Sequence, residues 1–143
     1  MSAIPVCLAI LAGIAATVQA ALNSGLARST GLAPALIVNT VVVLAGTILF
    51  WRVTDGRAVF HAPGVPWIFY LGGLGGFIVI GSLAFGFPRL GAGWTIALMV
   101  FGQTVAALTI DHFGWFGMAP IEISLKRVLG LLIVVLGVAV FRL

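Results

Sequence analysis

Carboxylates are almost missing from this chain. Its 143 residues include three Asp or Glu and seven Lys or Arg, a charged share of 7% against 62% hydrophobic residues. A water-soluble domain needs far more polar material to cover its surface, so this composition excludes one and leaves an integral membrane protein. Cysteine is nearly absent too: Cys7 stands alone, which excludes an internal disulfide and a cysteine metal cluster. The formal charge of +4 does not mark nucleic-acid binding, because the basic residues are scattered at the ends of apolar segments, as membrane anchors are, and form no patch. Enzyme chemistry lacks its parts as well. Asp111 and His112 have no paired nucleophile, and Gly72-Gly73-Leu74-Gly75-Gly76 is no phosphate loop because no Lys-Ser or Lys-Thr follows it. No cofactor and no metal site are expected.

What is abundant is apolar length. A hydrocarbon layer about 30 Å thick takes roughly 20 residues of helix per crossing. Five segments meet that requirement, at residues 4–23, 32–51, 67–87, 92–110 and 124–141, and predict an all-α protein with five transmembrane helices in a single domain. Val18-Gln19-Ala20 resembles a signal-peptide cleavage site, but Met1-Ser2-Ala3 offers no basic start, so the first segment reads as a span. Residues 24–31 carry Arg28 among Ser, Thr and Gly and read as a link. Residues 52–66 are rich in Gly and Pro and read as a surface loop. Pro88-Arg89-Leu90-Gly91 closes the third span with a breaker. The last apolar run, residues 128–141, rises only about 21 Å, so its helix is expected to begin near Ser124, with Lys126 and Arg127 reaching back to headgroups.

Against this background the few polar residues inside the spans stand out. Gln103 lies near the middle of the fourth, where hydrocarbon offers its amide no partner. Gln19 and Asn23 share one face of the first helix with Ala12 and Ala16. Asn39 is the strongly polar interior residue of the second and is expected to approach Gln19 or Gln103. These amides, with Trp94 nearby, are the candidate substrate-binding residues; the alternative is that they hydrogen-bond helix to helix and hold the bundle together. Asp111 and His112 close the fourth span before Gly114, a candidate helix cap. They are candidate coupling residues, with an interfacial ion pair from Asp111 to Lys126 or Arg127 as the competing role.

Charge and glycine spacing bear on assembly. With five crossings, Arg52, Arg57, Lys126 and Arg127 fall on the amino-terminal side and Arg28, Arg89 and Arg142 on the other, so the positive-inside rule has little to act on. That balance predicts dual topology and an antiparallel homodimer. Gly130 and Gly137 lie seven residues apart on nearly one face of the last helix and are the expected dimer contact; Gly72 and Gly76 form a GxxxG pair read as close packing or a bend.

Several of these motifs together, Gln19-Ala20-Ala21-Leu22-Asn23, Pro88-Arg89-Leu90-Gly91, Gly102-Gln103 and Asp111-His112-Phe113-Gly114, resemble the YdcZ-like family of bacterial membrane proteins over nearly the whole chain. The resemblance implies membership of the drug/metabolite transporter superfamily, kinship with small multidrug resistance proteins, a place in the bacterial cytoplasmic (inner) membrane and an antiparallel two-fold assembly. Small multidrug resistance proteins keep a carboxylate in the first helix. This first helix has Gln19 and Asn23 instead, so proton-coupled cation export does not carry over. The resulting expectation is a transporter that moves a small polar solute by alternating access through an amide-lined cavity between two inverted copies. The competing classes are a dual-topology ion channel of fluoride-channel-like size and a structural subunit of a membrane complex.

Overall fold

The computed structural model describes residues 3–54 and 64–141, and these are helical almost throughout. Five α-helices follow in order: α1 (Ala3–Thr30), α2 (Leu32–Thr54), α3 (Gly72–Leu90), α4 (Ala92–Phe113) and α5 (Leu125–Val140). A 3₁₀ turn, Trp67–Leu71, leads into α3 from Pro66, and a second, Trp115–Gly117, follows α4. Most of the expected loop at residues 52–66 lies outside the described residues; Arg52 belongs to the last turn of α2.

Four of the helical stretches, Ala3–Thr30, Leu32–Thr54, Trp67–Leu90 and Ala92–Phe113, are long and apolar enough to cross a membrane. α5 has 16 residues and so rises about 24 Å, short of the full hydrocarbon thickness. It is a fifth helix whose start, with Lys126 and Arg127, suits the headgroup level.

Helix ends follow backbone chemistry more than side-chain polarity. α1 continues through residues 24–30, which had read as a link, because Ala, Leu and Arg there favour helix and Thr30 Oγ1 donates back to the Leu26 carbonyl at 3.0 Å. The break comes at Gly31, whose φ of 92° an L side chain would resist. α3 likewise passes through Pro88, without the hydrogen bond that an N–H there would give the Ala84 carbonyl, and stops before Gly91 at φ 81°.

The chain divides into two compact units, residues 1–89 and 90–143. In the first, α1 packs on α2 along a seam confined to the halves nearest Gly31, where Ala20, Asn23, Ser24, Ala35, Leu36 and Asn39 are buried. Residues 3–15 of α1 and 40–50 of α2 are exposed throughout. α3 meets this unit through its second half. Leu83, Ala84, Gly86 and Phe87 are buried, and Leu36 Cδ1 stands 3.6 Å from where a side chain at Gly81 would begin. In the second unit α4 and α5 form an antiparallel hairpin, closed at one end by Phe141 against Gly93 and at the other by Arg127 against Asp111. So little apolar surface is covered within the chain that lipid or another protein must cover the rest.

Candidate functional site

Three of the amides picked out by sequence meet in the first unit. Gln19 Nε2 donates to Asn39 Oδ1 at 2.9 Å, and Asn23 Nδ2 donates to the same oxygen at 3.0 Å. Gln19 and Asn23 are one helical turn apart on α1, so a single α2 acceptor reaches both. Small neighbours let the backbones approach: Ala20 and Ser24 on α1 and Ala35 on α2 are buried. Of the two partners expected for Asn39, the structure joins it to Gln19 and adds Asn23. The cluster is partly satisfied. One N–H of Gln19 and one of Asn23, both amide oxygens of those residues and both N–H groups of Asn39 remain for other partners.

Gln103 sits in the second unit, near the middle of α4, exposed and with no hydrogen bond among the described residues. The hydroxyls around it behave differently. Thr104 Oγ1 donates to the Val100 carbonyl at 2.7 Å and Thr109 Oγ1 to the Val105 carbonyl at 2.9 Å; in the first unit Thr17 and Thr40 bond back to Gly13 and Leu36 in the same way. A threonine that bonds back to its own helix can face hydrocarbon at little cost, whereas a primary amide cannot satisfy itself this way. Trp94, in the first turn of α4, is half-buried beside the buried Thr95, whose Oγ1 donates to the Gly91 carbonyl at 2.7 Å.

The two ionisable residues at the end of α4 make different contacts. Asp111 Oδ2 accepts from Arg127 Nη1 at 2.9 Å, both side chains being 32% exposed, so Arg127 rather than Lys126 takes the acid. His112 is exposed and lies edge-on to Phe113 with 4.9 Å between ring centroids. Around this end the backbone is closely specified. Gly114 adopts φ 62°, ψ 32° and its N–H caps the Ile110 carbonyl. A Cβ there would fall 2.8 Å from Pro120 Cγ and 2.9 Å from the Met118 carbonyl oxygen. The Ile121 N–H then donates to the Asp111 carbonyl at 2.7 Å, and Ser124 caps α5 by accepting from the Arg127 N–H.

On α5 the half-buried positions Arg127, Leu131, Val134 and Val138 mark the side turned to α4. Gly130 and Gly137 lie roughly a quarter turn away by helical spacing, and a Cβ at either would meet nothing within 4 Å. The same holds at Gly72 and Gly76, so this pair makes no close packing among the described residues. Among the described residues no group of His, Cys, Asp or Glu could hold a metal ion.

Sequence reasoning missed one feature of the first unit. Arg28 and Arg89, far apart in the chain, line the same cleft of about 540 Å³ beside Ser24 and Pro88. The signal available was weak: each closes a helix on what five crossings make the same side.

Neither the curated proteins nor the solved structures include a match to this chain. The family described as "Putative inner membrane exporter, YdcZ" matches residues 4–140. Nearly every described helix falls inside that match, along with the amide cluster and the Asp111–Arg127 end of α4, and the long apolar helices are those of a multi-pass membrane protein. The chain therefore belongs to the YdcZ family of inner membrane exporters, transporters of the drug/metabolite type.

Proposed function

We propose that the protein moves a small polar, uncharged or zwitterionic solute by alternating access, in an antiparallel homodimer whose cavity is lined by Gln19, Asn23, Asn39 and Gln103, with Trp94 at its edge. The observation that carries this reading is the exposed Gln103 amide in mid-helix, beside threonines that have already satisfied themselves. An amide at that depth needs a partner other than lipid, and a solute passing a second copy of the chain supplies one. The unused donors and acceptors of the Gln19–Asn23–Asn39 cluster offer the same neutral chemistry, which hydrogen-bonds a solute without the desolvation cost of a buried charge.

Two further features support the assembly. The near-balance of basic residues on the two sides, given a fifth crossing by α5, leaves orientation undirected. The open glycine face of α5 accepts a partner helix at close range. In this reading the Asp111–Arg127 pair fixes α4 to α5.

The test is flux of candidate polar solutes into liposomes carrying the purified protein. Gln103→Ala is expected to abolish flux while expression and oligomeric state stay as in the unaltered protein. Gly137→Leu is expected to yield monomers. Loss of folding in Gln103→Ala, flux far above carrier turnover without counter-transport, or a single orientation of the termini by cysteine labelling would each overturn a part of the reading: amide binding, alternating access and the antiparallel pair respectively.

A further inference from the structure

The cleft in the first unit has a composition that the solute pathway does not use. Arg28, from the last turn of α1, and Arg89, from the last turn of α3, both line it, together with the buried Ser24 and with Leu32, Ala84 and Pro88. Its volume, about 540 Å³, is ample for a phosphate group with its ester substituents. Leu32 opens α2, so the cleft also borders a helix start, whose first turn includes Pro34, which has no N–H, and Ala35, whose N–H bonds the Gly31 carbonyl.

No carboxylate answers the two arginines among the described residues: Asp111 is held by Arg127, and neither Arg28 nor Arg89 makes an ion pair. Arg89 is posed rather than free. Its Nη1 donates to the Phe85 carbonyl at 2.8 Å and its guanidinium carbon stands 3.4 Å from the centre of the Phe85 ring, which fixes the plane of the group and leaves its other N–H donors for a ligand. Arg28 lies across from it on α1, exposed, with one terminal nitrogen 3.8 Å from where a side chain at Gly25 would begin. Two guanidinium groups in one cleft repel each other until an anion stands between them. Forked donors at a helix-end, headgroup-level site match the oxygens of a phosphate.

We infer that the Arg28–Arg89 cleft is a binding site for a phosphate-bearing anion, with Arg89 as the preset half and Arg28 as the arm that closes on it. The oxygens come either from the headgroup of an anionic phospholipid or from a phosphate free in solution. This site stands apart from the proposed amide pathway and does not depend on it.

The experiment measures binding to the intact protein in mild detergent, by native mass spectrometry and thermal shift, with phosphatidylglycerol, phosphatidylcholine and inorganic phosphate as probes. The unaltered protein is expected to retain phosphatidylglycerol over phosphatidylcholine, or to be stabilised by phosphate. Arg28→Gln with Arg89→Gln should weaken that binding at least tenfold, and Arg52→Gln, which removes a positive charge elsewhere, should leave it unchanged. Arg28→Lys with Arg89→Lys should fall between, since lysine keeps the charge without the fork. Binding of the lipid without competition from phosphate identifies a headgroup site; displacement by phosphate identifies a soluble anion. Undiminished binding in the double Gln variant, with helical content intact, would overturn the inference. So would an unaltered protein that neither prefers phosphatidylglycerol nor responds to phosphate.

Discussion

The two helical hairpins solve the same problem with opposite chemistry. α1 and α2 are joined by neutral amides, with Asn23 and Asn39 7% and 8% exposed, while α4 and α5 are joined by a full ion pair whose side chains are 32% exposed. Position explains the choice. Asn39 lies seven residues from the start of α2, about 10 Å along it, whereas Asp111 is two residues from the end of α4 and Arg127 two from the start of α5. A charge buried at the depth of Asn39 would cost several kcal/mol, more than one hydrogen bond returns, whereas near the headgroups water still reaches both partners. Depth thus favours amide over carboxylate, and the first helix of this chain carries no acid and a single basic residue, Arg28, in its last turn.

The comparison breaks first at Gly114. Gly114→Ala puts a Cβ into the Pro120 ring and the Met118 carbonyl at a φ that favours glycine, and should cost about 2–4 kcal/mol, read as an earlier midpoint when the protein in micelles is unfolded with SDS. If its midpoint stayed put, the end of α4 would owe its shape to the ion pair alone. Next comes the amide seam. Asn39→Leu removes the acceptor of two interhelical bonds and should cost about 1–3 kcal/mol, with Gln19→Leu and the double variant showing coupling of roughly 1 kcal/mol. Additive effects in that cycle would mean that the two amides act separately. The smallest effect belongs to the pair at the surface. Asp111→Asn should cost about 1 kcal/mol or less, and added salt should shrink the difference further; a larger, salt-insensitive loss would place the pair in a drier setting than its exposure implies.

Much of this was legible in advance because hydrocarbon imposes simple rules. Apolar length located the helices; Gln19 and Asn23 shared a face by helical spacing alone; and Gly114 declared itself as a cap by following a span that closes on Asp111 and His112. The misreadings have one physical source. Arg28, Ser29 and Thr30 look like a loop to a rule built on polarity, but a helix emerging into the headgroups has no reason to stop where it becomes polar, and it stops where Gly31 turns the backbone. Pro88 misled similarly: it lacks the N–H that would bond the Ala84 carbonyl, yet α3 runs on two residues past it to Leu90. The meeting of Arg28 with Arg89 was hidden for a different reason. It depends on how the ends of α1 and α3 come to line one cleft, and periodicity along one helix carries no information about a second.

The α1–α2 seam ends at Gln19 and Asn39, and beyond it each helix runs on uncovered. From Asn39 to the last residue of α2 is about 22 Å, so a tilt of only 10° about the amide cluster would carry the far tip roughly 4 Å sideways. A hairpin pinned at its closed end would turn a small adjustment among three side chains into a displacement the width of a water molecule or more at its open end.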